Sequence, residues 1–255
     1  MSPRPDSTRP SATSRAGGSR APRKVAIVTG ASQGIGAGVS DGFRRAGYGV
    51  VGTSRSIRPS DASDFLTVRG DIAEVETAKM IVEQAVDRFG RIDTLINNAG
   101  VFISKPFTDY TFDDYREITA VNLTGFFHIT QGVIRQMLAQ GTGGHIVNIT
   151  TSLVDHPESK NPSALVSLTK GGLAAVTRSL AIEYASRGLR FNAVALGVIE
   201  NPAYDPASYQ GLAQLHPLGR VGQVSDVVEG ILYLEEASFV TGVVLHIDGG
   251  QSAGG

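Results

Sequence analysis

Short apolar runs alternate along this chain with longer stretches in which apolar residues return every three or four positions. The run Val25–Thr29 is apolar and β-branched and stops at Gly30, the pattern of a strand buried on both faces. Residues 36–46 read as a helix, 48–54 as a second strand and 65–68 as a third, closed by Arg69-Gly70-Asp71. From 73 to 89 the residues Val75, Ala78, Val82, Ala85, Val86 and Phe89 fall on one helical stripe. Residues 93–97 read as strand, 112–139 as mostly helix and 145–150 as strand. Asn161-Pro162 is a cap residue followed by a proline, which predicts a helix start there and a helix running to about residue 186. Residues 189–195 and 243–247 are the last two strands. Strand and helix alternate from end to end, and no repeat or linker divides the pattern. This predicts one α/β domain over residues 23–255: a doubly wound, Rossmann-like fold on a parallel sheet of about seven strands.

Composition narrows the function without naming it. The chain has 255 residues, 41% of them hydrophobic, and a net charge of −1. That balance gives no field for nucleic acid or an anionic membrane, and no apolar run approaches the roughly 18 residues of a spanning helix. With no cysteine, disulfides, thiolate metal sites and a cysteine nucleophile are excluded, which fits a cytoplasmic protein. His128, His145, His216 and His246 are scattered, and no His/Asp/Glu cluster has metal-ligand spacing, so no metal is expected. Residues 1–22 are rich in Pro, Ser and Arg with one acid, Asp6, and read as a disordered, solvated tail. Their Arg and Ser content also resembles a transit segment, but they lack an amphipathic apolar face.

Between the first strand and the first helix stands Thr29-Gly30-Ala31-Ser32-Gln33-Gly34-Ile35-Gly36. Glycines let the backbone approach a pyrophosphate, and the following helix N-terminus offers N–H groups and a positive dipole end. The spacing is T-G-x-x-x-G-x-G rather than G-x-G-x-x-G. With Asn97-Asn98-Ala99-Gly100 after the fourth strand, Asn122 in a helix and the closing His246-Ile247-Asp248-Gly249-Gly250, the chain resembles the short-chain dehydrogenase/reductases from Lys24 to Gly250. The resemblance implies cofactor contacts from Gly30, Ser32, Gln33, Gly34, Ile35, Gly36, Asp71, Ile72, Asn98, Ala99, Gly100, Lys170, Gly197, Ile199 and Asn201. Asp71 also reads simply as a cap for the helix from Ala73. The second strand ends in Ser54-Arg55, with Ser54 where users of NAD commonly carry an acid. A carboxylate there would repel a 2′-phosphate, whereas Arg55 can clamp one, so NADP(H) is expected.

The same resemblance implies a catalytic set of Ser, Tyr, Lys and Asn. Asn122 matches the Asn and Lys170 the Lys. The serine position falls on Thr151, or on Ser152 if the strand end slips by one. Four residues before Lys170, where Tyr-x-x-x-Lys is expected, stands Val166. A valine has no proton to give. Three rescues are open: His156 as the acid with Asp155 raising its pKa, an iminium substrate that is already protonated, or donation from Lys170 itself. Downstream, the family's Pro-Gly reads Leu196-Gly197, and Asn201 stands where a Thr is expected. The departures cluster at the nicotinamide end, so binding looks intact and the chemistry altered. The expected function is an NADP(H)-dependent oxidoreductase of a small carbonyl, alcohol or C=N substrate with an atypical acid; the alternative is a dinucleotide-binding protein without turnover. A homodimer or homotetramer through the helices over 112–139 and 162–186 is implied by the resemblance, and residues 201–218 fall where the family keeps a substrate lid.

Overall fold

The computed structural model describes residues 23–201, 207 and 209–254. The expected tail and Pro202, Tyr204 and Pro206 of the expected lid lie outside them. Seven strands form one sheet: β1 Val25–Thr29, β2 Gly49–Ser54, β3 Phe65–Arg69, β4 Thr94–Asn97, β5 Gly144–Thr151, β6 Leu189–Leu196 and β7 Val244–Ile247. Their order is β3-β2-β1-β4-β5-β6-β7, and every pairing is parallel. The order reverses between β1 and β4, and beyond the carboxyl ends of those two strands such sheets open a crevice.

Helices cover both faces because the central strands are apolar on both. Beneath one face α2 (Val75–Phe89), α4 (Phe126–Gln140) and α5 (Ala164–Tyr184) bury Ile81, Ala85, Ile129, Val133 and Ala181 with Val25, Ile27, Leu95 and Phe191. On the other, α1 (Gly34–Arg45) and α7 (Val224–Glu236) bury Val39, Phe43, Val227, Val228 and Ile231 with Ala26, Val28, Ile96 and Val194. Two shorter helices are α3 (Phe112–Thr119), packed against α5, and α6 (Tyr209–Ala213).

The α1 helix runs over Gly34–Arg45 rather than 36–46, and three further departures from the sequence pattern have a local reason. The α5 helix starts at Ala164 rather than at Asn161-Pro162: the Pro162 carbonyl accepts the Ser104 hydroxyl at 2.9 Å, and Ser163 holds a non-helical φ of −143°. The α2 helix starts at Val75 rather than 73, because Glu74 holds an extended backbone with ψ 128°. The expected single helix over 112–139 is two helices joined by a π-helical segment, Ala120–Gly125, that carries Asn122. Periodicity does not register a one-residue widening of this kind, which is often found at functional sites.

Candidate active site

The glycine turn is held against the next crossover by Thr29 and Asn98. Thr29 Oγ1 accepts the backbone N–H groups of Asn98 and Ala99, each at 3.0 Å, and donates to the Ile96 carbonyl at 3.3 Å. The Asn98 side chain returns the contact, its Nδ2 donating to the Thr29 carbonyl at 2.9 Å and the Gly30 carbonyl at 3.3 Å. There is no room for a larger residue here. A Cβ on Gly36 would collide with the Gly30 carbonyl and sit 2.6 Å from Asn98 Nδ2, and Gly30 itself has φ +69°. So Asn98 shapes the cradle with its side chain.

A cavity of about 960 Å³ runs from this turn along the carboxyl ends of the strands. It is lined by Gly30, residues 32–36, Ser54, Arg55, Asp71, Ile72 and residues 98–100 at one end. At the other end Thr151, Ser152, Val166, Lys170, Gly197, Ile199 and Asn201 line it. One space therefore joins most of the residues that the sequence singles out. It suits a dinucleotide on its own geometry: Gly30, Gly34 and Gly36 of the turn face it, and the buried Thr53 hydroxyl beside Ser54 has no partner among the described residues. Arg55 is exposed at its rim, its backbone carbonyl fixed by Arg69 Nε at 2.8 Å through the Ser54–Arg69 register of β2 and β3. Asp71 lines the cavity and accepts the Ala73 N–H in the turn before α2; the N-cap of that helix is Glu74, so Asp71 does not cap it.

At the other end, Lys170 reaches up from α5 and donates to the Ile149 carbonyl at 2.7 Å. Burial without a carboxylate partner pulls its ammonium down from 10.5 to about 8. Val166, one turn earlier, is 1% exposed and forms an apolar wall. Thr151 Oγ1 accepts only the Leu153 N–H, at 3.3 Å, so its hydroxyl hydrogen is available to the cavity. The Ser152 hydroxyl is already engaged, 2.9 Å from Gln251 Oε1 and 3.2 Å from the Leu196 carbonyl. Of the two hydroxyls expected from the strand end, Thr151 is the one free to meet a substrate.

Two expected residues stand apart from the cavity wall. Asn122 is buried, and its amide is committed to the backbone of Val101, accepting at 2.8 Å and donating at 3.1 Å, and to Thr169 Oγ1 at 3.1 Å. It fixes the loop after Gly100 rather than facing a ligand. His156 is not among the lining residues, and its nearest charge is Glu158 at 3.9 Å. The expected Asp155–His156 partnership does not form: the Asp155 carboxylate sits 3.2 Å from His246 Nε2, because the turn after Ser152 aims it across to β7. Sequence reasoning missed Glu158, Lys160, Asn161 and Gln251, all of which line the cavity. The polar residue straight after Gly249-Gly250 was the one signal for Gln251. Among the described residues no group of His, Asp and Glu is placed to hold a metal, and no helix is long and apolar enough to cross a membrane.

Comparison with known proteins agrees with this geometry. The family model described as enoyl-(acyl carrier protein) reductase matches residues 30–252. Glucose 1-dehydrogenase of Gluconobacter oxydans is 32% identical over 89% of this chain and 91% of its own length. The structure of 3-ketoacyl-(acyl-carrier-protein) reductase from Brucella melitensis complexed with NADH superposes with a TM-score of 0.82 at 29% identity, covering 90% of this chain and 98% of that one. That of ElxO with NADP bound gives 0.82 at 29% identity, covering 91% and 99%. Extent of match, parallel seven-stranded sheet and cavity agree, and the chain belongs to the short-chain dehydrogenase/reductase family.

Proposed function

We propose that this chain is an NADP(H)-dependent oxidoreductase that moves hydride to or from a carbonyl, alcohol or C=N carbon with a proton source other than tyrosine. The observation that carries the reading is the single cavity in which Arg55 and the glycine turn stand at one end and Lys170, Thr151 and an apolar Val166 at the other. When bound there, a nicotinamide dinucleotide supplies or takes up the hydride. The chain's own part is to bind, orient and donate. The N–H groups opening α1 face phosphate oxygens, and Arg55 meets a 2′-phosphate with no carboxylate at position 54 to repel it. Lys170 offers its ammonium to ribose hydroxyls, and Thr151 offers its hydroxyl to the substrate's oxygen.

Val166 decides which substrates fit this site. Loss of a general acid costs roughly 10²–10⁴-fold, so a neutral ketone turns over slowly. An iminium ion needs no acid, and an uncharged wall does not compete for it. Incubation with NADPH and a panel of ketones and cyclic imines tests the proposal: the imines are expected to oxidise the cofactor faster, and no oxidation with any of them contradicts it. Val166 also favours a second reading, a dinucleotide-binding protein without turnover. Val166→Tyr separates the two. A variant that gains ketone reduction over an inert parent marks a silenced reductase; an active parent that the tyrosine impairs marks a working pocket. We further propose a cytoplasmic homodimer or homotetramer paired through α4 and α5, which expose Phe127, Leu168 and Ile182; sedimentation at a single monomer mass contradicts it.

A further inference from the structure

Gln251 is a buried polar residue in the cavity wall whose side chain is only half satisfied. It is 4% exposed and lines the same space as Thr151, Val166 and Lys170. Its Oε1 takes the Ser152 hydroxyl at 2.9 Å. Its Nε2 makes no bond among the described residues, yet it is not one of the buried polar atoms shut away without a partner. Gln251 lines the cavity, and its two N–H groups are left for a ligand there.

That placement is held from both sides. Ser152 has one hydrogen to give, and in this structure its shorter contact is to Gln251 Oε1, which places Nε2 on the side away from the serine. The turn carrying Gln251 is clasped by the Asp248 carboxylate, which accepts the N–H groups of Gly250 and Ser252 at 3.0 Å each. The Ser252 hydroxyl is in turn 3.0 Å from His246 Nδ1. A donor locked in this way beside the reacting end reads a hydrogen-bond acceptor.

We infer that Gln251 is a specificity-determining residue whose amide N–H groups bind an oxygen acceptor next to the reacting carbon, and that Ser152 is its positioning residue. The favoured substrates are ketones, or the corresponding imines, that carry a further ether, hydroxyl or carbonyl oxygen near that carbon. The inference rests on the proposed oxidoreductase reading for the location of the reacting carbon, but its consequence is a binding preference that needs no turnover.

The test uses the full chain saturated with NADP⁺, which has no hydride to give, and two probes that differ by one atom pair. Phenoxyacetone carries an ether oxygen where benzylacetone carries a methylene. Dissociation constants by calorimetry or NMR titration are expected to favour phenoxyacetone about tenfold, the effect of one added hydrogen bond. Gln251→Leu is expected to bring the ratio to about one while leaving the benzylacetone constant within about twofold. Gln251→Glu keeps an acceptor for Ser152 but turns an oxygen on the cavity, and is expected to reverse the preference. Ser152→Ala is expected to shrink the ratio and Ser152→Thr to restore it, which a merely structural serine would not do. A parent that binds both probes equally or neither, or a preference that survives in Gln251→Leu, overturns the inference. If NADPH is never oxidised but the ratio behaves as stated, the oxidoreductase reading fails and the inference stands.

Discussion

Lys170 makes the sharpest quantitative prediction, because its ammonium is buried and among the described residues has only the Ile149 carbonyl for a partner. Its pKa falls from 10.5 to about 8 through burial alone. A drop of that size corresponds to about 3 kcal/mol of differential stability between charged and neutral forms. In the unfolded chain the lysine keeps its ordinary value, so between pH 8 and 10.5 the unfolded state holds more protons than the folded one. Folding stability of the parent must therefore rise with pH through that window, and the cost of the buried charge is fully present below it. Lys170→Met removes the titrating group. Urea unfolding of both proteins at pH 7, 8, 9 and 10 reads the difference. Relative to the variant, the parent is expected to gain about 3 kcal/mol across the window, most of it by pH 10. Curves that run parallel would refute the burial argument. Dinucleotide affinity moves the other way: the same substitution that relieves the buried charge weakens binding, since a methionine holds no ribose hydroxyl.

Three further outcomes follow from named contacts. Gly36→Ala drives a methyl group into the Gly30 carbonyl and Asn98 Nδ2, and is expected to lower stability by about 1–3 kcal/mol and to abolish dinucleotide binding, read by thermal unfolding and calorimetry. His145 is buried on β5 where the strand meets α7, with Nε2 on Asn192 at 3.0 Å and Nδ1 on Glu235 at 2.8 Å, and burial holds its pKa below 6.5 despite that carboxylate. The unfolded histidine charges first on acidification, so stability is expected to fall as pH drops below 6.5, and His145→Gln should flatten that slope in urea titrations. Thr151→Val removes the one hydroxyl hydrogen left free at the strand end. It is expected to lower kcat/KM for any substrate that is turned over by roughly 10–100-fold, about 1.5–3 kcal/mol, with dinucleotide affinity unchanged.

Much of this architecture is legible in the chain because a parallel sheet writes itself into its sequence. Strands buried on both faces must be continuous apolar runs, and the crossover helices must carry a one-sided stripe, so the strands can be read to within about two residues. The cofactor end is equally readable, since a turn with no room for Cβ leaves a glycine signature. What periodicity misses are features set by tertiary hydrogen bonds. The π segment at Asn122 depends on Val101 and Thr169, far away in sequence. The start of α5 is displaced because Ser104 claims the Pro162 carbonyl. Which of the Thr151 and Ser152 hydroxyls is left free turns on Gln251, a residue 99 positions away from Ser152 that no local pattern connects to it.

Calorimetric titration of the pure protein with NADPH and with NADH bears most directly on the central claim. Saturable uptake of both is expected, with NADPH the tighter by about tenfold or more from the Arg55 clamp, and with that advantage lost in Arg55→Ser. Uptake of neither would contradict the account, and a preference for NADH would contradict the role given to Arg55.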